Sequence, residues 1–283
     1  MAHIDLQSLP EYKEVPPQDR FVYLLNFVRS RHRKHMDFIL HSAKLRIKHN
    51  LDTWAGWNNV MEHNVMESVA MQVLCEDLGL KKNEALRLEN YVFLHNPFVC
   101  VEKYHAKIAR GKMPEDIPEA ERFTEEEERE LHERYEKFLW NLDPFGDIET
   151  ALTPEYFQDI GAQYGDTIEE KADQMTLESR LVYYVDALFD DGNLLPAHVR
   201  IAKMEQTPRG REVANDPSFN VPETQNGETV YLQYWDAERR VSTHIQKTIW
   251  EMLRESGIEL PSHEDVPEYL RKRVGQKMLR LPA

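Results

Sequence analysis

Apolar residues recur at spacings of three and four along most of the chain, the period of helices that turn one face to a core. Phe21, Leu24, Leu25 and Val28 open a stripe that Met36, Ile39, Leu40 and Ala43 continue, which predicts a long helix over residues 18 to 49. A second helix is expected over residues 57 to 78, stopped by Gly79. A third is expected over residues 81 to 95. Asn96 and Pro97 then match a helix start, with asparagine as N-cap and proline at the first helical position. Further helices are expected over residues 124 to 142, 168 to 190, 194 to 205, 229 to 256 and 264 to 279, with residues 206 to 228 read as a surface loop. No sustained run alternates at period two, and there are only 11 glycines. The pattern predicts an all-α protein, a single helical domain over residues 1 to 283.

Residues 111 to 165 depart from this pattern and read as an insertion. The segment opens with prolines and continues as "FTEEEERELHERYEKFLW", a very acidic helix. Leu131, Tyr135, Phe138, Leu139 and Trp140 give that helix an apolar side, so it is expected to pack on the rest of the chain.

Composition narrows the class. Of 283 residues, 41% are hydrophobic, enough for a packed interior. No apolar stretch approaches the roughly 18 to 20 residues a membrane span needs. The N-terminal segment has neither a basic nor an apolar signal region, and the two cysteines, Cys75 and Cys100, form no disulfide framework. Both features fit a cytoplasmic protein. A net charge of -15 opposes general nucleic-acid binding. One local exception, "RSRHRKH" at residues 29 to 35, is either a solvated helix face or a docking patch for a phosphate-rich or acidic partner.

Three groups able to ligate a metal interrupt apolar helix faces. His63 shares a face with Met66, Ala70 and Leu74; His95 ends the run "YVFL"; Asp186 lies in "LVYYVDALFD". Each has a plain structural reading, a satisfied core histidine or a carboxylate paired with an arginine or a tyrosine hydroxyl. A Gly-rich phosphate loop, a GxSxG elbow, an HExxH motif and a dinucleotide fingerprint are all absent from the sequence. Cys100 has His95 and His105 five positions away on either side, poor helical geometry for a thiolate–imidazole pair.

Taken together, "EHNVMESVAMQVLCEDLGL", "YVFLHN" and "SRLVYYVDALFDDG" resemble the HD-domain metal-dependent phosphohydrolases, whose ligands run His, His-Asp doublet, distant Asp. The resemblance covers residues 57 to 105 and 170 to 192. It implies an HD-domain-like helical bundle in which His63, His95, Asn96 and Asp186 converge on a divalent metal ion (Zn, Mn, Fe, Ni or Mg). It also implies metal-activated hydrolysis of a nucleotide or another small phosphate ester. Asn96 stands where the family has Asp, so the site loses a charge, while asparagine caps a helix about as well as aspartate. His63, His95 and Asp186 then form a set adequate for one ion, and a bridged pair is disfavoured.

Position suggests the supporting residues. Glu67, one turn after His63, either accepts a proton or orients an imidazole, or else faces solvent. Lys103, the other catalytic candidate, shares a face with Lys107 and Arg110; these three are substrate-phosphate candidates or an ordinary basic face. The expected ligand is a small phosphorylated molecule, and a homo-oligomer is compatible with the sequence. The competing class is a catalytically degenerate HD-like protein with a binding or regulatory role.

Overall fold

The computed structural model of the protein describes residues 54 to 94, 99 to 109, 111 to 119, 122 to 142, 167 to 190 and 193 to 279. The expected helix over residues 18 to 49, its basic segment, and residues 95 to 98, 110 and 143 to 166 lie outside them, as do the side chains of His63 and Lys103.

The described chain is mostly helical. Helix α1 (Trp54–Asp77) is the central element, packed against α2 (Lys82–Leu94) and against the helices over Leu177–Leu188 and Val266–Leu279. Val65, Val69, Ala70, Met71, Leu74 and Cys75 are all buried, covering every side of the helix, as a fully enclosed helix requires. It ends as expected at Gly79, whose φ of 69° lets the Leu80 amide reach the Cys75 carbonyl at 2.8 Å. Helices α3 (Val99–Ala109) and α4 (Glu125–Leu142) follow. The acidic α4 packs on α2 and buries Leu131 and Tyr135, while Ile117 and Phe123 bury the segment leading into it.

Between residues 167 and 190 the structure differs from the single helix expected. Helix α5 (Ile168–Gln174) stops at Met175, whose ψ of 144° is extended, and α6 (Leu177–Leu188) restarts one residue later. Both threonines that open these helices act as caps: Thr167 accepts from the Glu170 amide and Thr176 from the Ser179 amide. A hydroxyl that satisfies an orphan N–H makes a break here stable, and the apolar spacing alone does not reveal it.

A two-residue pairing of β1 (Phe189–Asp190) with β2 (Asn193–Leu194) joins α6 to α7 (Ala197–Glu205). The stretch from 206 to 228, expected to be a loop, holds instead helix α8 (Pro208–Asn215), a 3₁₀ turn at Pro217–Phe219 and strand β3 (Val221–Gln225). Strand β3 pairs antiparallel with β4 (Glu228–Leu232) through Asn226–Gly227, both at positive φ (53° and 83°), the primed turn a two-residue hairpin prefers. Alternation went unseen because the inward positions are Val221 and Glu223, and the second is a charge.

Helix α9 (Tyr234–Glu255) lies against α5, α6, α7 and α8. Its Arg240 clamps the hairpin onto α5, donating to Glu169 at 2.6 and 2.8 Å and to Glu223 at 2.9 Å. Helix α10 (Val266–Leu279) closes the core with Val266, Leu270, Val274 and Met278, all fully buried. Among the described residues, no helix is long and apolar enough to cross a membrane.

Candidate functional site

The helices carrying the three ligand-type positions are mutual neighbours: α1 packs on α2 and on α6, and α2 packs on α6. The junction of α1 with the end of α2 is fixed by side chains four apart on one face. Asn64 donates to the Phe93 carbonyl at 2.7 Å and Ser68 to the Glu89 carbonyl at 3.1 Å, all in the interior. Phe93 lies in the last turn of α2, where carbonyls lack helical partners. Asn64 thus satisfies one of them and holds the turn bearing His63 against the chain two residues before His95.

Glu67 is fully buried, which removes the solvent-facing alternative. Asp186, on α6, has a side chain 30% exposed and lies 3.7 Å from the Arg200 guanidinium of α7. This is one of the two partners expected for it, an arginine. Burial pushes the Arg200 pKa down, but the charges of Asp186, Glu67 and Glu238 outweigh that and hold it above the usual arginine value. Its Nε is buried with no hydrogen-bond partner among the described residues. Such a donor costs about 1–3 kcal/mol unless a ligand or water meets it.

Next to this group α6 meets α9. Tyr183 donates to Glu238 Oε2 at 2.6 Å and Tyr234 to Oε1 at 2.7 Å, so both carboxylate oxygens are occupied. Burial nevertheless pushes the Glu238 carboxyl up, and burial together with the Glu238 charge pushes the Tyr183 phenol up. Tyr184 continues the polar seam, donating to Gln246 at 3.0 Å.

The structure therefore joins Glu67 and Asp186 electrostatically through Arg200. His63 lies on α1 at the backbone level, and His95 and Asn96 lie outside the described residues. Lys107 is half-buried on α3, whose His105 contacts Glu128 of α4 at 3.0 Å; Lys103 and Arg110 contribute no described side chain. Among the described residues, no group of three or more His, Cys, Asp or Glu side chains is placed to hold a metal. Burial pushes the Cys75 thiol up to about 12, so it is no nucleophile near neutral pH.

Sequence reasoning missed Arg200, Glu238, Tyr183 and Asn64. Tyr234 and Glu238, four apart, carried a signal as an i, i+4 pair. Arg200 carried none, since "AHVRIAK" reads as an ordinary helix. No family model matches the chain, and neither a curated protein nor a solved structure does.

Proposed function

We propose that the protein is a cytoplasmic HD-domain-like phosphohydrolase that uses one divalent ion on a nucleotide or another small phosphate ester. The observation supporting this reading is the mutual packing of α1, α2 and α6, with Asn64 tying the His63 turn to the end of α2. Two imidazoles and one carboxylate suit a single Zn, Fe, Mn or Ni ion, so His63, His95 and Asp186 would be the ligands, with Asn96 adding at most a neutral oxygen. Such an ion supplies Lewis acidity toward a phosphoryl oxygen and lowers the pKa of water. The chain's own contributions are separate. Glu67, buried beside the His63 turn, orients or takes a proton from that side, and Lys103, Lys107 and Arg110 neutralise substrate charge. Metal analysis of protein purified without chelator tests the reading. One equivalent of transition metal that disappears in His63→Ala supports it, and metal-free protein that stays metal-free on reconstitution ends it.

Arg200 favours a second reading. With a carboxylate lost at Asn96 and a fixed guanidinium beside Asp186, the protein is a degenerate relative that binds a ligand without turning it over. Stoichiometric metal combined with phosphatase activity excludes this alternative.

A further inference from the structure

Glu238 is a carboxylate held by hydroxyls and not by a cation. Tyr183 and Tyr234 each donate to one of its oxygens, at 2.6 and 2.7 Å, and among the described residues no arginine or lysine hydrogen-bonds to it. Ser242, buried on the same helix, lies 3.2 Å from the Tyr183 hydroxyl and donates to it while Tyr183 serves Glu238. That hydroxyl has a further acceptor within reach, the Glu238 carbonyl at 3.4 Å. A protonated Glu238 is therefore also satisfied. Its acid hydrogen goes to the Tyr183 oxygen, and Tyr183 turns its own hydrogen to Ser242 or to that carbonyl. The chain of hydroxyls serves either form of the acid by turning hydrogens.

We propose that the α6–α9 junction is a pH-responsive device. Glu238 exchanges a proton with solvent, the Ser242–Tyr183 chain reverses its hydrogen bonds, and the charge beside Arg200 changes by one while the helices stay in place. The groups facing Glu238 come from three helices. Helix α6 supplies the Tyr183 phenol and, through its charge, Asp186; α7 supplies Arg200; Tyr234 belongs to α9 itself. Charged groups on the other elements packed against α9 have partners of their own. On α5, Glu169 pairs with Arg240 and Asp173 with His244; on α8, Arg209 pairs with Glu212. Arg239, next to Glu238 in sequence, pairs with Glu205 of α7, and His263, in the turn before α10, meets Gln246. Enclosure among phenols withholds water from the Glu238 charge, and Arg200, the cation acting on it, is shared with Asp186 and Glu67. The ionised form is therefore the costly one. Taking up a proton removes one of three carboxylate charges, and Arg200 then leans on Asp186 and Glu67 alone. The Asp186–Arg200 pair, partly exposed on both sides, is the face on which solvent meets this change. No ion at Asp186 is needed for any of it.

The test is a pH titration of the full-length protein carrying ¹³C-carboxyl-labelled glutamate, followed by NMR, with the Glu238 signal assigned by its loss in Glu238→Gln. Glu238 is expected to titrate with a midpoint above 4.5, the ordinary glutamate value. The near-ultraviolet tyrosine signal should change with the same midpoint while far-ultraviolet circular dichroism stays constant, and Glu238→Gln should lose that tyrosine response. Tyr183→Phe and Arg200→Gln each remove a group that favours the ionised acid, so both should raise the midpoint. Asp186→Asn removes a repelling charge and should lower it. A wild-type midpoint at or below 4.5 overturns the proposal whether or not the variants fold. A raised midpoint with an unmoved tyrosine signal overturns it too, because the hydroxyl chain then takes no part. So does a tyrosine response that survives in Glu238→Gln, which assigns the proton to another group.

Discussion

Asn64 gives its side-chain amide to the carbonyl of Phe93 across 2.7 Å of protein interior, joining the middle of α1 to the last turn of α2. Replacing Asn64 with leucine removes this hydrogen bond from the interior and puts an apolar group against the carbonyl. The expected cost is roughly 1–3 kcal/mol, read as a lower urea midpoint at unchanged slope. Asn64→Asp is the sharper probe, because a carboxylate presents an acceptor to an acceptor. Its folded-state pKa should be raised, so the destabilisation is greatest at neutral pH and is relieved as the pH falls and the acid can donate. A loss that grows on acidification contradicts this geometry.

Arg240 holds two carboxylates from different elements. Its hydrogen bonds keep Glu169 below the ordinary value of 4.5. Burial pushes Glu223 up, but bonds from Arg240, Gln225 and the Ile168 amide outweigh it and leave it lowered. Carboxylates held low contribute stability that is present above their unfolded pKa and lost as the pH falls through the folded one. Arg240→Met should therefore cost roughly 2–3 kcal/mol at neutral pH, with some of the pair already screened by solvent. The gap to wild type should narrow between neutral and acidic pH, because Glu223, stranded without its arginine, is pushed up by burial and takes up a proton as the pH falls. Urea unfolding at the two pH values decides it; a gap independent of pH means the clamp is not electrostatic.

Gly210 sits where no side chain fits, since a Cβ there would lie 1.9 Å from the Met204 carbonyl oxygen. Its own carbonyl accepts from the Trp235 indole at 2.9 Å. Gly210→Ala must push α8 away from the end of α7, at a cost of roughly 3 kcal/mol. Near-ultraviolet circular dichroism should report the altered indole setting, and a neutral substitution would show that the two helices do not approach as described.

Asn96 is where charge has left the proposed ligand set. Restoring it with Asn96→Asp should raise metal affinity and phosphatase activity on a generic aryl phosphate, by about tenfold or more. A variant that gains metal but no activity points to the binding reading, and one that gains neither removes residue 96 from the site.

Helices were legible because their apolar faces repeat at the right spacing, and Gly79 announced the end of α1. What escaped detection was polar. Thr176 interrupts an apolar run by capping, a role that depends on the next amide being unpaired. The hairpin hid because Glu223 fills a buried strand position, a placement that makes sense only once Arg240 arrives from α9. Among the candidate ligands, Asp186 stood out by its apolar neighbours; of an arginine and a tyrosine hydroxyl as its expected partners, the structure gives it an arginine. Arg200 lies on another helix, and nothing in its sequence surroundings marks it out; the β1–β2 pairing and the packing of α7 on α6 bring it back to Asp186. Glu67 shows the same limit in reverse, since helical phase allowed either face and packing chose the interior.

The closing helix also sets an order of assembly. Asp77 of α1 receives the Tyr269 hydroxyl at 2.6 Å across 192 positions of sequence, and Val266, Leu270, Val274 and Met278 cover the neighbouring apolar surface. During synthesis, α1 leaves the ribosome long before the segment that seals it. The nascent chain must carry an uncovered apolar stripe until almost the last described residues have been added, and a chain cut before residue 266 never covers it. The surface that α10 covers on α1 therefore stays open until that helix has been made, and the nascent chain is exposed to aggregation for that interval.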